Sequence, residues 1–314
     1  MPNGDLRINE LQHLAQTIGV PLSTLEAIAA NLRAHVRRKT KLVKDKERLL
    51  TEPRWRLKQV QRLIAATLLA DVPVSAAAHG YRKGRSNVTA AGEHVGAPWL
   101  LHMDIKGFFP HVRYSRIYNI WRDLGCAPDV ARILTRLTTF DGYLPLGFPT
   151  SPALANIVCR RIDARIEGLS RRLGYVYTRY SDNILISGSR ITPETAERFR
   201  RIIEEDGLPL PRKRVQLLGP GDARKALGLT IGRKVNITRE HRRRVRAEIH
   251  RHVVSPSRSA TTRAEELSLQ GKVAYVSRIS PGHGRNLRAL LHRKHSAAPL
   301  IAEQSAAAPT SSPS

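Results

Sequence analysis

An apolar and aromatic run, Tyr175-Val-Tyr-Thr-Arg-Tyr-Ser-Asp-Asn-Ile-Leu-Ile-Ser187, is broken by Asp182-Asn183 and then resumes. A two-residue polar break between β-prone runs reads as a tight hairpin, because short polar residues tolerate the left-handed conformations such turns need. The hairpin would present an acidic tip. A second acid, Asp104, ends the apolar run Trp99-Leu-Leu-His-Met-Asp104. Two carboxylates at strand ends, far apart in sequence, suit a site that holds two divalent cations about 4 Å apart for in-line phosphoryl transfer.

The charge balance agrees with a phosphate-bearing partner. The chain has 314 residues, with 53 Lys and Arg against 26 Asp and Glu, a formal net charge of +27. Such an excess favours a polyanion, nucleic acid before an anionic membrane surface. No apolar run is long enough to span a bilayer, and the start Met-Pro-Asn-Gly-Asp lacks a charged-then-apolar signal pattern, so a cytoplasmic protein with no membrane partner is expected. Cys126 and Cys159 are the only cysteines, and the 12 His are scattered. Neither a disulfide framework nor a zinc knuckle is indicated.

Along the chain, residues 1–62 read as a basic helical N-terminal arm. Leu22, Leu25, Ile28, Ala29, Leu32 and Val36 fall at helical spacing, and residues 37–62 add eleven Lys and Arg against Asp45, Glu47 and Glu52. Those charges suit phosphate contact or a solvated helix face. Gly80-Tyr-Arg-Lys-Gly-Arg-Ser86 is a basic loop punctuated by glycines, which let a backbone approach oxygen atoms closely.

Residues 63–235 read as the central α/β domain. The strand ending at Asp104 leads to a helix capped by Ser115, with Ile117, Ile120, Trp121 and Leu124 on one side. The rigid loop Leu144-Pro-Leu-Gly-Phe-Pro-Thr-Ser-Pro152 follows, with Ser151 as cap and Pro152 in the first turn of a helix reaching about Leu173. After the acidic hairpin, Thr192-Pro193 starts another amphipathic helix. Strands at 215–218 and 226–231 complete a mixed sheet. Residues 236–295 read as a small helical domain opening with Arg239, Arg242, Arg243, Arg244 and Arg246 and interrupted by a Ser- and Pro-containing break at 255–260. The four arginines from Arg242 to Arg246 fan around the helix, so they cannot all meet one phosphate row. The Ala-, Ser- and Pro-rich tail, 296–314, reads as disordered.

Four motifs in order, Asp104-Ile-Lys-Gly-Phe-Phe109, Leu144 to Ile157, Arg179-Tyr-Ser-Asp-Asn183 and Lys225-Ala-Leu-Gly-Leu229, resemble those of a bacterial reverse transcriptase of the retron type. The resemblance spans roughly residues 50 to 292. It implies a right-hand polymerase: fingers and palm with a mixed or antiparallel sheet packed on helices, and a small helical thumb. It also implies an RNA-directed DNA polymerase that copies a structured non-coding RNA into single-stranded DNA from deoxynucleotides, with two Mg2+ ions or Mn2+ in their place. By analogy it further implies a role in anti-phage defence beside an effector protein. Other bacterial defence or intron-derived reverse transcriptases, or a weakly active polymerase fold that binds RNA, are the alternatives.

Carried over by position, Asp104 and Asp182 would be the metal-binding carboxylates, joined by the Ile105 carbonyl and by Asn183. Phe109 would exclude the ribose 2′-hydroxyl; the basis for choosing it over Phe108 is that neighbours on a strand face opposite ways. Gly147, Pro149 and Ser151 would shape the templating pair, Arg82 and Lys83 would hold the triphosphate, and Lys213 would lie near the pyrophosphate or on the plain surface. Arg242, Arg243, Arg244 and Arg246 would grip RNA. The sequence departs from the family pattern at four places. Asn183 stands where most members have a second Asp, Leu146 where Gln is usual, Ala where Asn precedes the retron-like His94, and Ala226-Leu-Gly-Leu229 lacks Val-Thr-Gly.

Overall fold

A computed structural model of the chain describes residues 5–43, 46–254 and 263–296. It divides into two compact units, Met1–Leu227 and Gly228–Ser314. The first unit opens with helices α1 (Leu11–Ile18) and α2 (Leu22–Ala30), followed by a single 3-10 turn. Leu14, Ile18, Leu25 and Ile28 are buried in the main core. Strands β1 (Val36–Val43) and β2 (Lys46–Pro53) then form an antiparallel hairpin that pairs Val36 with Pro53, and α3 (Trp55–Thr67) follows.

This corrects the expected helical arm. Between Arg37 and Arg48 no apolar stripe recurs at three- and four-residue spacing, so a helix there would have no face to bury. Val36, Thr40, Leu42 and Val43 suit strands instead, and Pro53 ends the hairpin ahead of α3. Residues 1–62 are also no separate arm, since α1 packs on α3 and α2 packs on α7 (Pro128–Thr138).

After α3 come α4 (Asn87–Gly92), β3 (Trp99–Asp104), the helical turn α5 (Phe108–His111), α6 (Tyr114–Asp123) and α7. Ser115 does not cap α6; the cap position is Arg113. Next are α8 (Ser151–Val158) and α9 (Arg160–Arg172), two helices where one was expected, separated at Cys159. The first has Thr150, not Ser151, at its cap position. Strands β4 (Val176–Tyr180) and β5 (Asn183–Gly188), helix α10 (Pro193–Glu205), β6 (Val215–Leu218) and β7 (Lys225–Ala226) complete this unit. Thr192 caps α10 as expected, its side chain accepting from the Thr195 N–H.

Four strands form the central sheet in the order β4-β5-β3-β6. Every one of its ladders is antiparallel, so the sheet is not mixed. Residues 226–231 do not make one strand, because Leu227 and Gly228 both take positive φ and break the run. Leu101, Met103, Ile184 and Ile186 join the core that contains Ile162, Ile166, Phe199 and Ile203. Each such fully buried side chain contributes about 1.5–3 kcal/mol. By the two-residue period of a strand, His102, Asp104, Asn183 and Leu185 share the opposite face.

The second unit holds β8 (Leu229–Ile231), β9 (Val235–Ile237), α11 (Arg239–Val254), α12 (Arg263–Ile279) and α13 (Pro281–Ser296). The division therefore falls after Leu227, not after residue 235, because β9 packs on α12. The break expected at 255–260 lies outside the described residues, as do 297–314 of the tail; Ser296 ends α13.

Candidate active site

Register brings the two carboxylates together. Asp104, the last residue of β3, pairs with Asn183, the first of β5, and the Ile105 N–H donates to the Asp182 carbonyl across 2.9 Å. Because Tyr180 pairs with Asn183, the two-residue turn is Ser181-Asp182, one residue earlier than the expected Asp182-Asn183. Pairing with Asp104 keeps Asn183 extended, and the positive φ of 58° falls on Ser181. A non-glycine residue in that conformation is held by its surroundings.

Those surroundings form a buried polar network. The Arg179 guanidinium donates to both Asp163 carboxylate oxygens, at 2.7 and 2.8 Å, and both side chains are fully buried. It also reaches Asn156 Oδ1 at 3.1 Å and the Ser181 carbonyl at 3.2 Å. The Tyr177 hydroxyl donates to Asp163 at 2.6 Å, and Asn156 donates to the Gly80 carbonyl at 2.9 Å. Burial works to lower the Arg179 pKa, and Cys159, Asp163 and Tyr177 more than reverse that, so the guanidinium stays charged. From above, Tyr81 Oη lies 2.9 Å from Ser181 Oγ. A Cβ on Gly80 would lie 2.6 Å from the Ser181 nitrogen, so only glycine lets the basic loop close on the turn. The turn bearing Asp182 is thus clamped between the basic loop and α8–α9.

Asp104 forms an ion pair with Arg214. The ladder that pairs Met103 with Val215 brings residue 214 alongside Asp104. His102 Nε2 lies 2.9 Å from Asn183 Oδ1, and Asn183 Nδ2 donates to Asp182 Oδ1 at 3.0 Å. Among the described residues no group of three or more His, Cys, Asp or Glu could hold a metal. The anionic oxygen donors here are the carboxylates of Asp104 and Asp182. That set fits Mg2+, which takes one or two carboxylates and completes its shell with water and substrate phosphates.

The remaining candidates surround this pair unevenly. Phe108 is buried and Phe109 half-buried, the rings meeting edge-on at 5.5 Å. They lie in the helical turn α5, so strand alternation is not what separates them. Helical rotation turns Phe108 inward and leaves Phe109 partly open. In the loop before α8, Gly147 has φ 118°, and a Cβ there would lie 2.6 Å from the Thr51 carbonyl. The Thr51 N–H donates to the Leu146 carbonyl at 3.0 Å, which docks the basic hairpin on this loop. Ser151 is buried with its hydroxyl on the Pro145 carbonyl at 2.6 Å, and Pro149 is half-buried. Arg82 donates to the Ser75 and Ala78 carbonyls at 2.9 and 3.2 Å, shaping its own loop, while Lys83 and Lys213 are exposed.

Residues 37–231 match the family described as reverse transcriptase (RNA-dependent DNA polymerase). The chain belongs to the reverse transcriptase family. It is similar to the retron Mx65 reverse transcriptase of Myxococcus xanthus, 36% identical over 262 residues, 76% of this chain and 60% of that one. It is also similar to the retron Ec86 reverse transcriptase of Escherichia coli, 28% identical over 89% of this chain and 92% of that one. A third relative, the retron Mx162 reverse transcriptase of M. xanthus, is 28% identical over 94% of this chain and 69% of its own length. The alignment thus spans less than two thirds of the Mx65 protein. Membership of this family gives the chain an α/β, right-hand polymerase fold. No helix among the described residues is long and apolar enough to cross a membrane.

In the second unit of this reverse transcriptase, Arg239, Arg242, Arg243 and Arg246 recur at helical spacing and line a groove of about 530 Å³ with His283, Asn286 and Leu287. Val245 and Ile249 face the core. Arg244 is exposed and does not line the groove. The sequence reading named Arg239 at the start of this helix but left it out of its RNA-gripping set, which the three-residue spacing from Arg242 could have extended. It also missed Arg214, His102, Asn156 and Asp163, which long-range register and packing bring to the site.

Proposed function

We propose that this reverse transcriptase copies part of a structured RNA into single-stranded DNA, with Asp104 and Asp182 as its metal-binding carboxylates. The observation that carries this reading is the register pairing Asp104 with Asn183, which puts both acids at one end of the sheet. When bound, two Mg2+ ions would neutralise the triphosphate and activate the primer hydroxyl. The chain's own residues orient and select. Arg179 and Tyr81 fix the turn that carries Asp182, and the half-buried Phe109 ring is placed to crowd a 2′-hydroxyl beneath the sugar. Gly147 and Pro149 keep the substrate loop rigid against the basic hairpin. Lys83 is an exposed cation for the triphosphate and Lys213 one for the departing pyrophosphate. In the second unit the arginine-lined groove supplies phosphate contacts to RNA. A cytoplasmic role in anti-phage defence with an effector protein belongs to the same proposal and rests on the retron resemblance.

The test is primer extension on RNA with deoxynucleotides and Mg2+. Asp104→Ala and Asp182→Ala are each expected to abolish incorporation while RNA binding persists; full activity in either variant refutes the assignment. Arg214 on Asp104 and the neutral Asn183 favour one second reading, an RNA-binding polymerase fold with a weakened metal site. Absence of incorporation by the unaltered chain in both Mg2+ and Mn2+ would decide for it.

A further inference from the structure

We propose that His102 and Asn183 act as one positioning unit that orients the Asp182 carboxylate, and that Asn183 works through Asp182 instead of ligating metal itself. The inference rests on the reading of Asp104 and Asp182 as the metal-binding pair.

A primary amide has a donor end and an acceptor end, and here each end is assigned by its neighbour. Ionised Asp182 can only accept, so the atom 3.0 Å from its Oδ1 is the Asn183 amide nitrogen. The Asn183 oxygen therefore points the other way, 2.9 Å from His102 Nε2. That oxygen can only accept, so the imidazole carries a proton on Nε2. His102 Nδ1 is buried with no hydrogen-bond partner among the described residues, so nothing on the far side of the ring competes for the proton.

The sheet explains how the three groups meet. His102 lies two residues before Asp104 on β3 and pairs with Leu185, two residues after Asn183 on β5. His102 and Asn183 are therefore diagonal neighbours on one face, within reach of a long side chain. Aspartate at position 183 could not fill this place, because it would offer Asp182 a second carboxylate and no donor. The asparagine keeps its oxygen on His102 and steadies one oxygen of Asp182. A ligand role for Asn183 would have to share that oxygen, one of whose two lone pairs is taken by His102, with the metal.

The test uses the full chain, titrated with Mn2+ without nucleotide, with free Mn2+ read by electron paramagnetic resonance. His102→Leu and Asn183→Ala are each expected to weaken Mn2+ binding, on the order of 10-fold as for other partners of metal ligands. The double variant should be no weaker than the worse single one. His102→Gln, whose amide can donate to the same oxygen, should bind more tightly than His102→Leu. Unchanged affinity in His102→Leu, or losses that multiply in the double variant, overturns the proposal. Asp104→Ala serves as the reference. If it too leaves Mn2+ binding intact, the metal-site reading fails first and takes this inference with it. A second measurement does not depend on how His102→Leu folds. In long-range 1H–15N spectra of the unaltered chain, the signal lost in His102→Gln should show a proton on Nε2; an Nε2 without a proton overturns the proposal.

Discussion

Replacing Arg179 with Met tests the clamp beneath the acidic turn. The substitution removes a guanidinium that makes two bonds to Asp163, one to Asn156 and one to the Ser181 carbonyl. Asp163 would remain fully buried with the Tyr177 hydroxyl as its recorded donor. Taking one partner from a buried ion pair costs about 3–5 kcal/mol, most of it the penalty of the abandoned charge. For a unit of the size of Met1–Leu227 each kcal/mol shifts the melting temperature by about 2–4 °C, so a fall of roughly 6–20 °C is expected. The origin of the loss can be separated. Arg179→Met with Asp163→Leu removes the orphaned charge, so the double variant should recover at least about half of the lost stability. Arg179→Lys keeps the charge and loses the paired geometry, and should fall between the two. Thermal unfolding followed by circular dichroism measures all three. A fall below about 3 °C in Arg179→Met, or a double variant as unstable as the sum of its single changes, would refute the reasoning. Primer extension by the folded fraction should also drop, because the Ser181 carbonyl loses its tether next to Asp182.

Three further outcomes follow from particular side chains. His94, buried between Ser187 Oγ at 2.7 Å and Thr178 Oγ1 at 2.8 Å, has its pKa lowered by burial from 6.5 to about 3. The unfolded chain takes up this proton and the folded chain does not, so the contribution is complete above about pH 6.5 and declines toward pH 3. Urea unfolding should show a loss of about 2 kcal/mol by pH 5 from this group, and a smaller loss in His94→Gln. Phe109→Val should admit ribonucleotides in primer extension, with a stability loss of about 1–3 kcal/mol for a half-buried ring; unchanged sugar selection in a folded variant would move the gate elsewhere. Replacing Arg239, Arg242, Arg243 and Arg246 together with Gln should flatten the log-log salt dependence of RNA binding by about 0.7–0.9 per lost phosphate contact, whereas Arg244→Gln alone should change it less. Equal slopes for both variants would remove the groove from RNA recognition.

The local sequence determined most elements of the first unit and singled out the two candidate acids. Strand runs ending at Asp104 and starting near Tyr175, the Thr192 cap and Pro193 first turn of α10 and the rigid loop before α8 are written in short-range propensity and turn chemistry. Where a segment's apolar pattern was weak, local reading failed: the charged stretch from Arg37 gave no periodicity, and its hairpin is set by strand pairing and docking on the Leu146 loop. The turn register was misread by one residue, because which of Ser181, Asp182 and Asn183 bends depends on the partner strand. Only tertiary structure decided that Arg214 meets Asp104, that His102 meets Asn183, and that Arg179 with Asp163 supports the turn. These contacts join residues far apart in sequence, and a lone Arg, His or Asp carries no local mark of its distant partner. Packing fixes them because a buried charge or amide must find its complement wherever the fold brings one.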